Sequence, residues 1–376
     1  MEKLDLLIKN GVILDPSRNT NRTGDIAVKN GKIVESEGRS SLYEIDASGK
    51  LVMPGLIDFH AHIFYGGSDF ALAPDSFAFA CGTTTIVDPG TAGVANYRAF
   101  RAYAATQATR IKALLYVGST GLGTLNYHEN ADPACWDRDG VKKIYEEYRG
   151  DLLGLKIRQS KDIVGSLGLK PLDETLKLAG EIGCRTVVHV TNPPTGLEQI
   201  AAKLRPDDVF CHVFQGTGNT ILCNGKVHPA IWQARERGVL FDASNGKGHF
   251  SFEVAETAIK EGFIPDILSS DLTTMTLYKD YAFALPHLMA KYLYLGLTIE
   301  EVVRMVTIAP AQAMGLESVI GTLAFGACAD VAIFSLKEMN VEFKDTLGEK
   351  RMGKKMFVPE MTLREGRIVF RNFNFI

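Results

Sequence analysis

Residues 54–62 read PGLIDFHAH, a short apolar run that ends in two histidines. On a strand, His60 and His62 project from the same face because they are two positions apart. Four later apolar runs also end in a chemically active side chain: Lys156 in LLGLKIR, His189 in TVVHV, His212 in VFCHV and Asp271 in ILSSD. The chain thus predicts a series of strands whose ends bear reactive groups.

The spacing of these ends predicts how the strands are arranged. Counted from His62, the gaps are 94, 33, 23 and 59 residues. One βα unit of an eight-stranded barrel takes about 30 residues, so the gaps correspond to three units, one, one short one and two. The reactive side chains then lie on strands 1, 4, 5, 6 and 8, all at one mouth. We predict an α/β chain that folds as a (β/α)8 TIM barrel.

The intervening segments have the alternation that βα units require. TTTIVDPG, IKALLYVG and GVLFDAS predict strands 2, 3 and 7, and DILSSD predicts strand 8. Helical patterns occupy residues 68–81, 94–109, 138–149 and 171–183. The long loops 118–137 and 214–229 follow strands, and in barrels such loops line the active site.

Both ends of the chain follow a strand periodicity instead. LLIKNGVIL and IAVKNGKIV each place Asn-Gly between alternating apolar residues, which is the pattern of a hairpin with a type I′ turn. ADVAIFSL and MTLREGRIVF repeat it near the C-terminus. We predict that residues 1–53 and 321–376 form one small β-sandwich domain, interrupted by a barrel domain over 54–320. Two separate extensions would leave strand edges uncovered.

Composition predicts a cytoplasmic enzyme with a small-molecule substrate. The chain has 376 residues, a net charge of −3 and 23% charged residues, which argues against nucleic-acid and membrane partners. No apolar run approaches the ~20 residues of a membrane span, and the N-terminus MEKLDLLIKN lacks the apolar centre of a signal peptide. The six cysteines form no CxxC pair, so we expect reduced thiols. We also expect a homo-oligomer.

Four imidazoles, a lysine and a carboxylate at one barrel mouth predict a metal site. Imidazole is a good ligand for zinc and similar divalent ions. One His-x-His pair is weak support by itself, but the further candidate ligands at later strand ends strengthen it.

The ordered set resembles the amidohydrolase superfamily. LKIR, SNGKGHFSF and SSDLTT are similar to its amidohydrolase/deacetylase branch, related to dihydroorotases and hydantoinases. The resemblance implies two divalent metal ions, with Lys156 carbamylated by CO2 as a bridge between them. It further implies that His60, His62 and Asp271 bind one ion and that His189 and His212 bind the other.

These ions, which we expect to be zinc, would hold a bridging water as hydroxide near neutral pH. Asp271 is the predicted catalytic residue, accepting the proton of the attacking water and passing it to the leaving nitrogen. Because SSDLTT could start a helix, Asp271 could also be a helix N-cap.

Four residues are candidates for substrate binding. Arg158 projects from the same side of its strand as Lys156 and could bind a carboxylate, although a surface salt bridge is an equal alternative. His249 on the loop after strand 7 could bind substrate or only its own loop. Asn192 and Tyr127 are weaker candidates on neighbouring loops.

The function predicted from the sequence is hydrolysis of a small amide, such as deacylation of an N-acyl amino acid, with esters accessible to the same chemistry. The alternative is a cyclic amide hydrolase of the dihydroorotase or hydantoinase type. A deaminase with one metal fits less well because such enzymes lack the bridging lysine. A non-catalytic homologue fits less well because all six ligand positions are filled.

Overall fold

A computed structural model describes residues 2–375 of the chain. In chain order the strands are β1 Leu4–Asp15, β2 Thr20–Lys29, β3 Lys32–Val34, β4 Ser41–Asp46, β5 Leu51–Pro54, β6 Leu56–Asp58, β7 Thr83–Asp88, β8 Arg110–Tyr116, β9 Leu152–Arg158, β10 Arg185–His189, β11 Val209–Cys211, β12 Leu222–Cys223, β13 Lys226–Val227, β14 Leu240–Asp242, β15 Val331–Lys344, β16 Lys350–Arg364 and β17 Arg367–Arg371. The helices are α1 Tyr97–Ala104, α2 Arg138–Glu147, α3 Lys161–Val164, α4 Lys170–Ile182, α5 Leu197–Lys203, α6 Pro229–Glu236, α7 Phe252–Lys260, α8 Leu285–Tyr294, α9 Ile299–Met305 and α10 Ile308–Met314.

The middle of the chain confirms the predicted barrel. Its strands β6, β7, β8, β9, β10, β11 and β14 are parallel and hydrogen-bonded in chain order. Parallel strands place their carboxyl ends at one edge, so the reactive side chains at those ends meet at one mouth. Within residues 2–375, no helix has the length and apolar character needed to span a membrane.

The eighth barrel position is taken by the predicted segment, but not as a regular strand. Ala243 N donates to Ile267 O at 3.0 Å on one side, and His62 N donates to Leu272 O at 3.0 Å on the other. Between these contacts, Ser270 N donates to a side-chain carboxylate rather than to a neighbouring carbonyl. Asp271 has φ 51°, outside the strand region. These departures from a regular ladder turn Asp271 into the mouth.

The predicted helix over 68–81 is wrong. This part of the chain contains only two short 3-10 turns, Pro74–Ser76 and Phe79–Cys81. The adjacent pair Gly66 and Gly67 lowers helix propensity before this segment. Pro74 starts one of the turns, and a proline disfavours the helical conformation in the residue that precedes it.

As predicted, strands from the two chain ends join in one β-sheet, the composite domain. Strand β5 pairs with β1 from the N-terminal part and with β15 from the C-terminal part. The strands are joined by hydrogen bonds into a single eight-stranded sheet. Buried side chains from both ends share one apolar cluster, which includes Ile8, Val52, Ile333 and Leu363.

The two Asn-Gly pairs behave differently. Asn30-Gly31 joins β2 to β3 with φ values of 51° and 72°, which confirms a hairpin turn. The prediction of a hairpin at Asn10-Gly11 is wrong, because β1 continues through these residues with a register shift between Ile8 and Gly11. The Asn10 amide donates at 2.9 Å to the side-chain carboxylate of Asp25 on β2 instead of to a backbone carbonyl of that strand, so the pair forms a bulge.

The hairpin of β15 and β16 extends from the composite domain onto the barrel. Phe343 packs against helix α8, with ring centroids 5.0 Å from His287 and 6.0 Å from Tyr294. The tip of the hairpin reaches the loop between β14 and α7, where Thr346 N donates to Phe250 O at 3.1 Å. The composite domain therefore contacts the barrel close to its mouth.

Candidate metal centre and substrate cavity

Two of the predicted histidine ligands converge on a carboxylate oxygen of a third predicted ligand, Asp271. His60 and His62 follow β6, and their Nε2 atoms lie 3.6 Å and 3.4 Å from Asp271 Oδ1. All three residues are buried. Two imidazole nitrogens and a carboxylate oxygen form a donor set suited to a divalent ion.

A second group lies beside the first. His189 at the end of β10 and His212 just after β11 have ring centroids 4.3 Å apart. The ring of His249 joins them, with its centroid 4.0 Å from that of His212. Ligand atoms of His189, His212 and His249 lie within 4.8 Å of one another. The His60 ring centroid lies 5.2 Å from that of His212, so the two groups adjoin.

Hydrogen bonds at Nδ1 orient three of these rings. The Nδ1 atoms of His62 and His212 lie 2.7 Å from Thr91 Oγ1 and Ser244 O, and that of His60 lies 3.2 Å from Ser244 Oγ. A carbonyl oxygen only accepts, so Nδ1 of His212 bears the proton and Nε2 presents a lone pair. Within the described part of the chain, this buried Nε2 has no hydrogen-bond partner. The donor set therefore fits a metal ion.

Burial keeps these rings neutral. It lowers the pKa of His60, His189 and His212 well below the usual value. Burial also lowers the pKa of His249 to about 4, despite the opposing attraction of Asp271. A neutral imidazole is the form that binds a metal.

Lys156 lies in the same cavity, within β9, and only 1% of it is exposed. Among residues 2–375, no carboxylate lies within ion-pair distance of its amine. The amine donates a long hydrogen bond to Cys211 Sγ at 4.0 Å. A buried cation without an anionic partner is unfavourable, so a simple ammonium does not account for this lysine.

Asp242 is a buried carboxylate that the sequence interpretation missed. It ends β14, accepts hydrogen bonds from the hydroxyls of Ser244 and Ser269, and lies 3.6 Å from His60 Nδ1. Burial raises its pKa to about 6. It stands at a strand end in GVLFDAS, so the pattern that identified the other residues could have identified it.

Asp88, the last residue of β7, accepts hydrogen bonds from backbone amides near the site. It accepts from the amides of Gly90 and Thr91 at 3.1 and 2.7 Å. Its other oxygen accepts from Ile63 N at 3.1 Å, next to His62. Asp88 thus joins the segment after β6 to the turn that presents Thr91.

A small cavity of about 90 Å³ opens at the two groups. It is lined by His60, His62, Phe70, Leu122, Leu125, Lys156, Arg158, His189, Lys247, His249, Asp271, Thr273 and Met275. One part of this wall is apolar, and another has the cations Arg158 and Lys247. Lys247 is exposed and was not singled out from the sequence.

The structure brings two of the four predicted substrate residues to this cavity. Arg158 lines it and pairs at 3.0 Å with Glu129, whose side chain is 5% exposed. His249 lines it through a ring held by Thr191 Oγ1 at 2.7 Å from Nδ1.

The other two lie elsewhere. Asn192 is not part of the cavity wall, and its carbonyl accepts from Lys161 N at 2.8 Å. Tyr127 is 74% exposed and is also absent from the wall. The loop after β8, which contains Tyr127, instead presents Leu122 and Leu125 to the cavity.

Comparisons with known proteins agree with this fold. The sequence model of the amidohydrolase family matches residues 51–369, and the chain belongs to that family. It is a hydrolase of carbon–nitrogen bonds that acts on a small molecule.

Relatives and solved structures extend over most of the chain. A deacetylase of Agrobacterium fabrum is 34% identical over 318 residues, which cover 84% of this chain and 78% of that protein. The crystal structure of an adenine deaminase has a TM-score of 0.90 and 30% identity, covering 98% of this chain and 100% of that one. A dihydroorotase structure has a TM-score of 0.88 and 31% identity, covering 98% of both chains.

Proposed function

We propose that the protein is a two-metal hydrolase that removes the acyl group from small N-acyl amino acids, with esters accessible to the same chemistry. The observation that supports this most directly is the pair of adjoining donor groups, one around Asp271 and one around His212. The Agrobacterium fabrum relative is named a deacetylase, and removal of an acetyl group is one such deacylation.

His60, His62 and Asp271 would hold one ion, and His189 and His212 the other. Nitrogen and oxygen donors suit zinc. When bound, two divalent ions polarise the substrate carbonyl and lower the pKa of water. Lys156 would complete the site as a carbamate. A neutral amine takes up CO2 to become an anionic oxygen ligand, which would resolve the burial of Lys156 without an acidic partner.

Asp271 is suited to moving the proton. Its Oδ1 faces His60 and His62, while Oδ2 lies 3.5 Å from His249 Nε2. We infer that this carboxylate accepts the proton of the attacking water and delivers it to the leaving nitrogen. The neutral ring of His249 would orient the carboxylate or the substrate beside it.

The cavity wall indicates which amides would fit. Arg158 offers a planar guanidinium suited to a carboxylate, and Lys247 adds a second cation. Glu129 forms an ion pair with Arg158 and neutralises part of its charge. Phe70, Leu122, Leu125 and Met275 provide apolar contacts for the remainder of a substrate. An N-acyl amino acid has both a carboxylate for the cations and a less polar remainder for the apolar wall.

A cyclic amide hydrolase is the second candidate. It is supported by the dihydroorotase structure at 31% identity, and such a substrate uses the same ions and the same proton acceptor. A deaminase is the third, supported by the adenine deaminase structure. Lys156 argues against the deaminase, because a site with one metal needs no bridge.

Metal analysis and a substrate screen together test the proposal. Protein purified without chelator should contain nearly two equivalents of divalent metal per chain. The screen compares N-acetyl amino acids, their carboxamide analogues, dihydroorotate, a hydantoin and adenine. We expect the free acids to be hydrolysed in preference to the carboxamides. Turnover of adenine alone, with one metal per chain, would replace the proposal with the deaminase.

A further inference from the structure

The loop between β14 and α7 bears His249 but has little rigidity of its own. Residues 245–249 read NGKGH, and each glycine loses more conformational freedom on ordering than another residue would. The loop backbone nevertheless lies close to the site, because a Cβ at Gly246 would overlap Asp271 Oδ2. Thr191 holds the His249 ring at Nδ1 but not the backbone on either side. Contacts from outside the loop must therefore fix its two ends.

Lys291 on α8 provides one such contact. It is fully buried, and its amine donates to Asn245 Oδ1 at 3.3 Å and to Tyr281 O at 3.1 Å. The same amine lies 4.3 Å from the ring centroid of Phe250. One side chain thus contacts the start of the His249 loop, its end, and the loop after Asp271.

The tip of the β15–β16 hairpin provides another such contact, in addition to the backbone bonds from Gly246 N to Ser270 O and from Ser251 N to Phe214 O. Thr346 donates to Phe250 O through both its amide, at 3.1 Å, and its hydroxyl, at 2.8 Å. Asp345 is 1% exposed and accepts from Phe252 N at 3.0 Å, besides two amides of its own turn. The composite domain therefore holds the chain just after His249.

The loop after Asp271 also depends on this cluster. Tyr278, Tyr281 and Phe283 have φ values of 57°, 78° and 55°, a conformation that is unfavourable for residues with a Cβ. The bond from Lys291 to Tyr281 O lies within this strained segment. Residues Thr273 and Met275 of the same loop line the cavity. Movement of the segment would alter the cavity wall.

We propose that Lys291 and the hairpin tip, Asp345 and Thr346, are positioning residues that set His249 against Asp271. None of them lines the cavity, so they act through the two loops. The proposal rests on the proposed function, because it assigns these residues to the same catalytic site. It adds that the composite domain contributes to the geometry of that site.

The first test replaces Lys291 with Met, which keeps length and removes both donated bonds. Hydrogen–deuterium exchange is measured on the full-length, metal-loaded protein. We expect the amides of residues 245–252 and 278–284 to exchange about 10-fold faster, because each of the two loops loses one buried hydrogen bond. Metal content and the exchange of the barrel strands should not change. Unchanged exchange in both loops would overturn the proposal.

Kinetics separate positioning from a purely structural role. With an amide that the wild type hydrolyses, Lys291→Met should lower kcat roughly 100-fold, as small misplacements do. KM should change little, because Arg158 and Lys247 remain. A loosened loop with unchanged kcat would also overturn the proposal.

A second variant and a matched control complete the design. Thr346→Val removes only the hydroxyl bond to Phe250, and faster exchange confined to residues 249–252 is expected even if Lys291→Met does not fold. Lys260→Met, at the exposed end of α7, should leave exchange and kcat unchanged. If the wild type hydrolyses no amide in the screen, the proposed function fails. Faster exchange in the variants would then still support the positioning contacts, and unchanged exchange would refute them.

Discussion

Thr91 Oγ1 lies 2.7 Å from Nδ1 of His62, and both residues are buried at the barrel mouth. The two are separated by 29 positions and follow neighbouring strands. When the hydroxyl accepts a hydrogen bond from Nδ1–H, Nε2 has no proton and its lone pair is free to bind a metal ion next to Asp271 Oδ1, which lies 3.4 Å away. A hydroxyl in this position fixes both the tautomer and the angle of a ligand ring.

Replacing Thr91 with Val should therefore weaken metal binding without unfolding the protein. The change keeps the shape of the side chain and leaves in place the hydrogen bond that the backbone amide of residue 91 donates to Asp88. Loss of such a supporting contact typically costs ~10–100-fold in metal affinity, which a competitive chelator titration measures. Thr175→Val is the control, since its buried hydroxyl bonds Pro171 O on the outer helix α4. Equal affinities in the two variants would contradict the role of Thr91.

Lys156→Ala should lose metal and activity together if the lysine is a carbamate bridge. Added bicarbonate or short carboxylic acids should restore part of both, since they supply the missing oxygen ligand. Lys156→Arg should also fail, because a guanidinium does not take up CO2. Metal content and hydrolysis are measured with and without the acids. Full metal occupancy in Lys156→Ala would remove the bridge from the proposal.

The positions of the candidate ligands could be predicted from the sequence because a strand end is a local feature. His60, Lys156 and His212 stand where apolar runs stop, and parallel strands bring such ends together whatever connects them. Asp242 follows the same rule and could have been found.

The supporting residues have no comparable local signal. Thr91 and Glu129 lie on loops, and their partners are set by tertiary packing. Lys291 is one residue of an apolar helix, and only the fold shows that two loops meet its amine. Asn10-Gly11 shows the converse, since its turn pattern was overridden by pairing of β1 with three other strands.

Stability should depend on pH through Lys291. Burial lowers its pKa to about 7, so above pH 7 the unfolded chain binds a proton that the folded chain does not. The contribution of Lys291 to the free energy of unfolding therefore rises with pH. Asp345 on the hairpin opposes the shift by attraction. His287 on the same helix, with a pKa lowered to about 4 by burial, and Tyr292, with a raised pKa, are uncharged in this range.

The difference between wild type and Lys291→Met isolates this effect. From pH 7 to pH 9 the unfolding free energy of the wild type should gain roughly 2 kcal/mol relative to the variant. Urea unfolding at each pH measures it, and Lys260→Met should show no such change. A difference that stays constant with pH would mean that the amine is not desolvated.

Asp271→Asn tests the proton transfer that the mechanism assigns to this residue. The amide keeps the size of the side chain and one ligating oxygen but does not accept the proton. The variant should retain most of its metal while kcat falls by ~10²–10⁴-fold, the usual contribution of general acid–base catalysis. His189→Asn is the matched comparison, because loss of an imidazole ligand should remove metal and activity together. Metal analysis and kinetics on the same samples, with the substrate that the screen identifies, separate the two outcomes. Near wild-type turnover by metal-loaded Asp271→Asn would assign the proton transfer to another group, and His249, 3.5 Å away, would be the next to test.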